Sequence, residues 1–370
     1  MSSSNDFFSG TYDEARKKFL VACEQQGLPL FSYENPAKGA KGERLFTDVA
    51  RIGPEDAKAV LIVESGLHGV EGYTGSAIQI AAMLSPDAPR PADGVALLLV
   101  HAINPWGFSW NRRFNEDNID LNRHFLNWDN PGDLSNPGYD ELASVLVPDD
   151  ISPEMMEATE AALARFEETH GKVALRSAIK RGQYSHPDGI FYGGLQPSWS
   201  ARTVARIANE HLAGAKRAGL IDIHTGLGPF GFGECLNSAS PESDEGRRAS
   251  AWYGEVAHTK SPETGYAGSS ASILDGYKRA AAWPEWTPIG LEFGTRDPDV
   301  VRDSVRKDGW LHLHGSPGHP LAGEVKAGIL NAFYPSEPEW RSAVLARGLE
   351  VVGMGLAGIA TLPDSAARAS

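Results

Sequence analysis

Four short apolar runs, AVLIVE (59–64), VALLLVHAI (95–103), GLIDIH (219–224) and PIGLEFG (288–294), constrain this chain more than any other feature. They are almost uninterrupted, which suits strands covered on both faces better than the alternation of a half-exposed sheet. Helical patterns lie between and after them: TGSAIQIAAML, SPEMMEATEAALARFEETHG, SWSARTVARIANEHLAG, the stretch from about 298 to 312, and EPEWRSAVLARGLEVVGMGL. Two open on a helix-start signal, Ser152 before Pro153 and Ser336 before Glu337 and Pro338. Strands alternating with helices predict an α/β fold with a mixed, largely parallel sheet flanked by helices.

The 370 residues are 41% hydrophobic, enough to fill a core, and read as one domain over 1–370 with an excursion at about 127–200. The first part of that excursion, NWDNPGDLSNPGYDELASVLVPDDISPE, is rich in Pro, Asn, Asp and Gly. It reads as a solvated surface loop, with a wall or lid over a site as the alternative. QYSHPDGIFYGG (183–194) is open between a cleft wall and a packed loop.

With 34 Lys+Arg against 48 Asp+Glu, the formal charge is −14, and no basic run stands out. That balance argues against nucleic acid or an anionic membrane surface as partner, and for a small molecule or peptide. Cys23 and Cys235 have no metal-type spacing and are expected to be buried free thiols. The N-terminal segment lacks a basic region followed by an apolar one, and no apolar run approaches the ~20 residues of a membrane span. A cytoplasmic protein is expected; oligomeric state is not legible.

Polar residues cluster where these strands end. His68 and Glu71, in SGLHGVEGYTG, follow the first strand into a helix; His224 ends the third, and Glu292 lies in the last. In a sheet flanked by helices, the carboxyl ends of strands form the ligand crevice. Two histidines and a carboxylate make the three-ligand set of a catalytic zinc site, with a fourth position left for water. Zinc would lower the pKa of that water from about 15.7 toward 7. Glu292 is the candidate base, since an acid inside an apolar strand is costly to bury without a task. Asp222, two residues before His224, shares its face in a regular strand and can orient it.

Each residue taken singly has a plainer reading. HxxE occurs by chance, His224 suits a strand end, and His312 and His314 in WLHLHGSPGH suit helix-end packing as well as metal binding. Asp222, His101 and His186 are available to a second metal. What raises the odds is HAINPWGFSWNRRFNEDNIDLNRHF (101–125), where Arg113 and Arg123 can make forked hydrogen bonds to an anion and Asn122 adds an amide.

HGVE, NPWG with RFN and DLNRHF, DIHTG and GLEFGT, in that order over about 58–295, resemble the zinc carboxypeptidase (M14) family of metallopeptidases. Within it they resemble the bacterial branch known as a domain of unknown function, DUF2817. The resemblance implies a three-layer fold and one Zn2+ per chain held by His68, Glu71 and His224. It implies Glu292 as general base and later acid, and Arg113 as the group that polarises the scissile carbonyl. Asn122 and Arg123 would grip the substrate's terminal carboxylate. The tyrosine that closes over bound peptide would be Tyr266, ahead of Tyr277. Trp106 stands where many relatives have Asp, and His124 where they often have Asn.

SGLHGVEG and DIHTG are also similar to the aspartoacylase and succinylglutamate desuccinylase deacylases. The expected function is therefore zinc-dependent hydrolysis of an amide or peptide bond next to a free α-carboxylate, with N-acyl amino acid deacylation as the alternative. A non-catalytic binding protein on the same fold is the alternative of another class, and the intact set of ligands, Glu292 and Arg113 stands against it.

Overall fold

A computed structural model describes residues 4–259 and 271–361. Its strands are β1 (Leu30–Lys38), β2 (Arg44–Ile52), β3 (Ala59–Glu64), β4 (Val95–His101), β5 (Arg217–Phe230), β6 (Gly233–Asn237), β7 (Ala257–His258) and β8 (Glu285–Gly294). Among the described residues they form one sheet in the order β1-β2-β4-β3-β5-β8-β6-β7. The centre, β4-β3-β5-β8, is parallel, and antiparallel pairs β1/β2, β2/β4 and β6/β8 flank it. The four apolar runs are the four central parallel strands, as their two-sided burial requires.

The helices are α1 (Tyr12–Gln25), α2 (Gly72–Leu84), α3 (Pro105–Ser109), α4 (Pro137–Leu146), α5 (Pro153–His170), α6 (Lys172–Lys180), α7 (Trp199–His211), α8 (Asp244–Tyr253), α9 (Ile273–Ala280), α10 (Pro298–His314), α11 (Ala322–Phe333) and α12 (Pro338–Thr361). Strand periodicity divides the core between the two faces of the sheet. Leu61, Val63, Leu97, Leu99, Ile221, Ile223, Ile289 and Leu291 pack with Phe19 of α1, Ile78 of α2, Trp252 of α8 and Val351 of α12. Their neighbours Val60, Ile62, Leu98, Val100 and Leu220 face the other way, onto Ile207 of α7 and Tyr277 of α9. This is a three-layer, carboxypeptidase-like arrangement.

The first part of the excursion, 127–154, departs from the expected surface loop, while the helix expected after Ser152 is α5. Residues 127–136 are irregular, but α4, α5 and α6 follow, and Tyr139, Leu142, Leu146, Leu163, Phe166 and Ile179 join Val301 and Val305 of α10 in a separate apolar cluster. α4 is capped at its start: Pro137 is its first residue and the Asn136 side chain accepts from the Tyr139 N–H. Asn136 Nδ2 also donates to the carbonyls of Ala178 and Gly182, tying α4 to the end of α6.

Another departure is α12. It is, among the described residues, the one helix long and apolar enough to cross a membrane by length and composition, where the sequence was expected to hold none. Half of that apolar stretch is buried in the protein, with Val344, Val351, Val352, Leu356 and Ile359 against the sheet. Its apolarity serves this core face. Cys23 and Cys235 are buried free thiols, as expected.

Candidate active site

The HGVE turn is held by close backbone packing. A Cβ on Gly69 would fall 2.0 Å from the Gly107 carbonyl carbon, so glycine is required where this turn crosses the start of α3. The Gly69 and Val70 N–H groups donate to the carbonyls of Arg113 and Arg112. The NPWG and RFN segments are thereby locked over the turn, and Arg113 is set above Glu71.

His68, Glu71 and His224 are buried, and their ligand-type atoms lie within 4.8 Å of one another. His68 Nδ1 is 2.9 Å from Glu71 Oε1, and His224 Nδ1 is 3.0 Å from Glu71 Oε2. Both imidazoles turn the same nitrogen inward. Each outer nitrogen meets a carboxylate: His68 Nε2 lies 3.1 Å from Asp120 Oδ1, and His224 Nε2 lies 2.6 Å from Asp222 Oδ2. A carboxylate behind a histidine fixes its orientation and makes its inner nitrogen a better donor to a metal.

Sheet register explains half of this set. Glu64 pairs with Asp222, and His224 with Glu292, so these groups stand side by side on one face at the carboxyl ends of β3, β5 and β8. Asp222 thus occupies the orienting place its spacing from His224 predicts. Glu292 Oε1 accepts from the Leu227 N–H at 2.9 Å. That donor exists because β5 bends at Gly226, whose φ of +139° suits glycine.

The electrostatics follow from burial and contact. Burial drives the Glu71 carboxyl upward, yet His68 and His224 more than reverse this and hold it below the ordinary carboxylate range. Burial disfavours the charged form of His224, but Asp222 and Glu71 outweigh it and keep the ring protonated well above its ordinary value. Burial raises Glu292 to about 7, with His224 opposing and Glu71 assisting. Asp120 is driven up by burial and brought well below its ordinary value by Arg113 and His68.

Arg113 donates from Nε to Asp120 Oδ2 at 3.0 Å and from Nη1 to Glu71 Oε1 at 3.1 Å. Arg123 donates to two carbonyls, Nε to Lys180 at 2.8 Å and Nη1 to Asn122 at 2.7 Å, so its fork has no carboxylate bonded to it among the described residues. The Asn122 amide oxygen is buried without a hydrogen-bond partner among the described residues.

One cavity of about 560 Å³, the size of a site for a small molecule or a short peptide end, is lined by Asp222 and the groups in front of it, while Asp120 lies behind His68 and outside the lining. His68, Glu71, His224, Glu292, Arg113, Asn122 and Arg123, far apart in sequence, are brought together there. Tyr266 lies outside the described residues. Tyr277 does not line the cavity; it is buried in the core beside Glu64, on the α9 side of the sheet. Trp106 and His124 do not line it either. Trp106 stacks on Trp110, and His124 contacts the Gly193 carbonyl and accepts from the Ser198 N–H.

The additional histidines take their plainer roles. His312 and His314 end α10, His186 pairs with Asp140 at the surface, and His101 is buried against Ser76 and Phe19. The QYSHPDGIFYGG segment is partly a wall, since Phe191 lines the cavity with the Arg113 guanidinium over its ring. Asp120 was missed as a functional group, although its place two residues before Asn122 was the available signal. The excursion's contribution, from α5 and α6, was missed as well.

A mixed α/β sheet that gathers two histidines and a glutamate at the ends of its parallel strands defines a protein of the zinc carboxypeptidase-like fold class with a candidate metal site. The chain belongs to the family described as "Protein of unknown function (DUF2817)", whose profile matches residues 8–347. No curated protein sequence matches it. The structure of thrombin activatable fibrinolysis inhibitor is similar, with a TM-score of 0.53 and 13% identity over 98% of this chain and 77% of the other, which shows a shared fold. Carboxypeptidase A from Helicoverpa armigera aligns at a TM-score of 0.46 and 14% identity, over 91% and 77% of the two chains. Succinylglutamate desuccinylase from Chromobacterium violaceum aligns at 0.36 and 15%, over 81% and 74%.

Proposed function

We propose that this protein is a zinc-dependent hydrolase acting on an amide or peptide bond in a substrate that carries a free α-carboxylate. The observation that supports the reading best is the convergence of a His68–Glu71–His224 donor set with Glu292, Arg113 and Arg123 on one cavity. Two inward-facing imidazole nitrogens, each ring backed by a carboxylate, together with a third carboxylate, fit Zn2+. When bound there, the metal would supply Lewis-acid polarisation and acidify water.

The chain's own groups supply the remainder. Glu292 accepts the proton of the attacking water and returns it to the leaving amine; a carboxyl near 7 is matched to that exchange at neutral pH. Arg113 has two of its nitrogens committed to Asp120 and Glu71, so its direction is fixed and its Nη2 is left to stabilise charge growing on the carbonyl oxygen. Arg123 and Asn122 hold the α-carboxylate, the first by a forked charge-assisted bond and the second by donation from its side-chain amide Nδ2.

The test is mass spectrometry of products from zinc-loaded protein incubated with free-carboxylate peptides, their amidated twins and N-acyl amino acids, with Glu292→Gln as control. Shortening of the free peptides alone supports carboxypeptidase action. Cleavage confined to N-acyl amino acids reassigns the same apparatus to deacylation. Stoichiometric zinc without cleavage of any member rejects hydrolysis of this substrate class.

A further inference from the structure

Part of the cavity wall comes from the excursion, and there α6 contributes a row of cations. Lys172, Arg176 and Lys180 stand four residues apart along α6, and all three line the cavity that holds the metal-type donors. Along a helix that spacing places them on one face over ~12 Å. Leu175 and Ile179, one position earlier in each turn, line the same cavity, so it is this face of α6 that looks inward. The protein as a whole carries a charge of −14, which makes an inward row of three cations a local reversal.

The row is not neutralised by the protein. No ion pair joins Lys172, Arg176 or Lys180 to a carboxylate among the described residues. Of the cavity's outer acids, Asp299 is held by Arg302 at 2.8 Å, while Glu167 is exposed. Lys180 is partly desolvated and next to further cations: burial first, then Arg176, Arg123 and Arg113 weaken its hold on a proton, and Glu292 opposes them. Lys172 also sits in the first turn of α6, with no acid in that turn, where the helix dipole disfavours a cation. Folding alone gives no reason for this arrangement.

We propose that Lys172, Arg176 and Lys180 form a second anion subsite, so that the substrate bears a second carboxylate in addition to the α-carboxylate assigned to Arg123 and Asn122. The substrate class is then a dicarboxylate, an acidic residue or an acidic acyl group, in place of a neutral one. The two subsites adjoin, because the Arg123 Nε donates to the Lys180 carbonyl. One carboxylate is too small to neutralise Arg123 and a row of this length together. This inference rests on the reading of the cavity as a substrate site, but its test does not require turnover.

The test is calorimetric binding of N-acetylglutamate and N-acetylglutamine, which differ only in the side-chain charge, to zinc-loaded Glu292→Gln protein. N-acetylglutamate α-amide serves as a third probe. We expect the acid to bind about ten- to a hundredfold more tightly than its amide twin, the range of a charge-assisted bond. Adding Arg176→Gln and Lys180→Gln together should bring that ratio close to one, and Lys172→Gln, at an exposed position, should lower it by a smaller factor. Equal binding of glutamate and glutamine derivatives overturns the subsite, as does a preference that survives the double substitution, or no binding by any probe at millimolar concentration. Loss of discrimination between N-acetylglutamate and its α-amide, with the side-chain preference intact, rejects the role of Arg123 and leaves the row standing.

Discussion

Replacing Glu292 by Gln is expected to abolish turnover and at the same time stabilise the metal-free protein above neutral pH. Burial lifts this carboxyl from its ordinary 4.5 to about 7. The folded state thus binds the proton more tightly than the unfolded chain does. Stability from this group is complete below about pH 4.5 and is lost as pH rises through 7. Ionisation therefore costs the folded protein about 3 kcal/mol by pH 8. Gln cannot ionise, and its amide oxygen can still accept from Leu227. Urea unfolding of the metal-free proteins should show wild type and variant within about 1 kcal/mol at pH 5, with the variant ahead by about 2–3 kcal/mol at pH 8. Turnover by the zinc-loaded variant should fall by several orders of magnitude. A variant less stable than wild type at pH 8, or an offset equal at both pH values, would refute the reasoning. Near-normal turnover would place the base elsewhere in the cleft.

Three further outcomes follow from the same geometry. Because Asp222 and Glu71 keep His224 protonated well above its ordinary value despite burial, zinc must displace a proton there. Apparent zinc affinity should therefore rise with pH across neutrality, with proton release detectable as a buffer-dependent calorimetric enthalpy; an enthalpy independent of buffer at pH 7 contradicts this. Asp120→Asn removes the charge that backs both His68 and Arg113, and should weaken zinc about ten- to a hundredfold in a chelator competition, whereas unchanged affinity would assign Asp120 to structure alone. Gly226→Ala places a Cβ 3.1 Å from the Phe333 ring at a φ of +139°, so we expect a loss of about 1–3 kcal/mol in unfolding free energy, measured by denaturant titration. A neutral result there would mean that the bend presenting the Leu227 N–H is not held by glycine.

The sequence alone determined the centre of this protein. Two-sided burial makes AVLIVE, VALLLVHAI, GLIDIH and PIGLEFG apolar throughout, so the four parallel strands are legible as runs, and the polar residues that interrupt or end them are conspicuous. His68, Glu71, His224 and Glu292 were found in that way. Asp222 was found because strand period fixes which residues share a face. The antiparallel strands β1 and β2, on one side of that centre, carry polar residues such as Ser32, Glu34 and Asp48, so they produced no such run.

Only the tertiary structure decided which groups stand together and with what charge. Asp120 became a partner of His68 when the loop before Asn122 folded against the HGVE turn, a contact over 52 positions that no local spacing encodes. The α6 cations drew no notice in the sequence; the packing of α6 with α4, α5 and α10 is what brings them to the cavity that holds the metal-type donors. Short-range patterns set which residues are buried in a strand or helix, because periodicity is local. The composition of a cavity depends on which elements the chain brings across from one another, and here that is the packing of the excursion over the ends of the parallel strands.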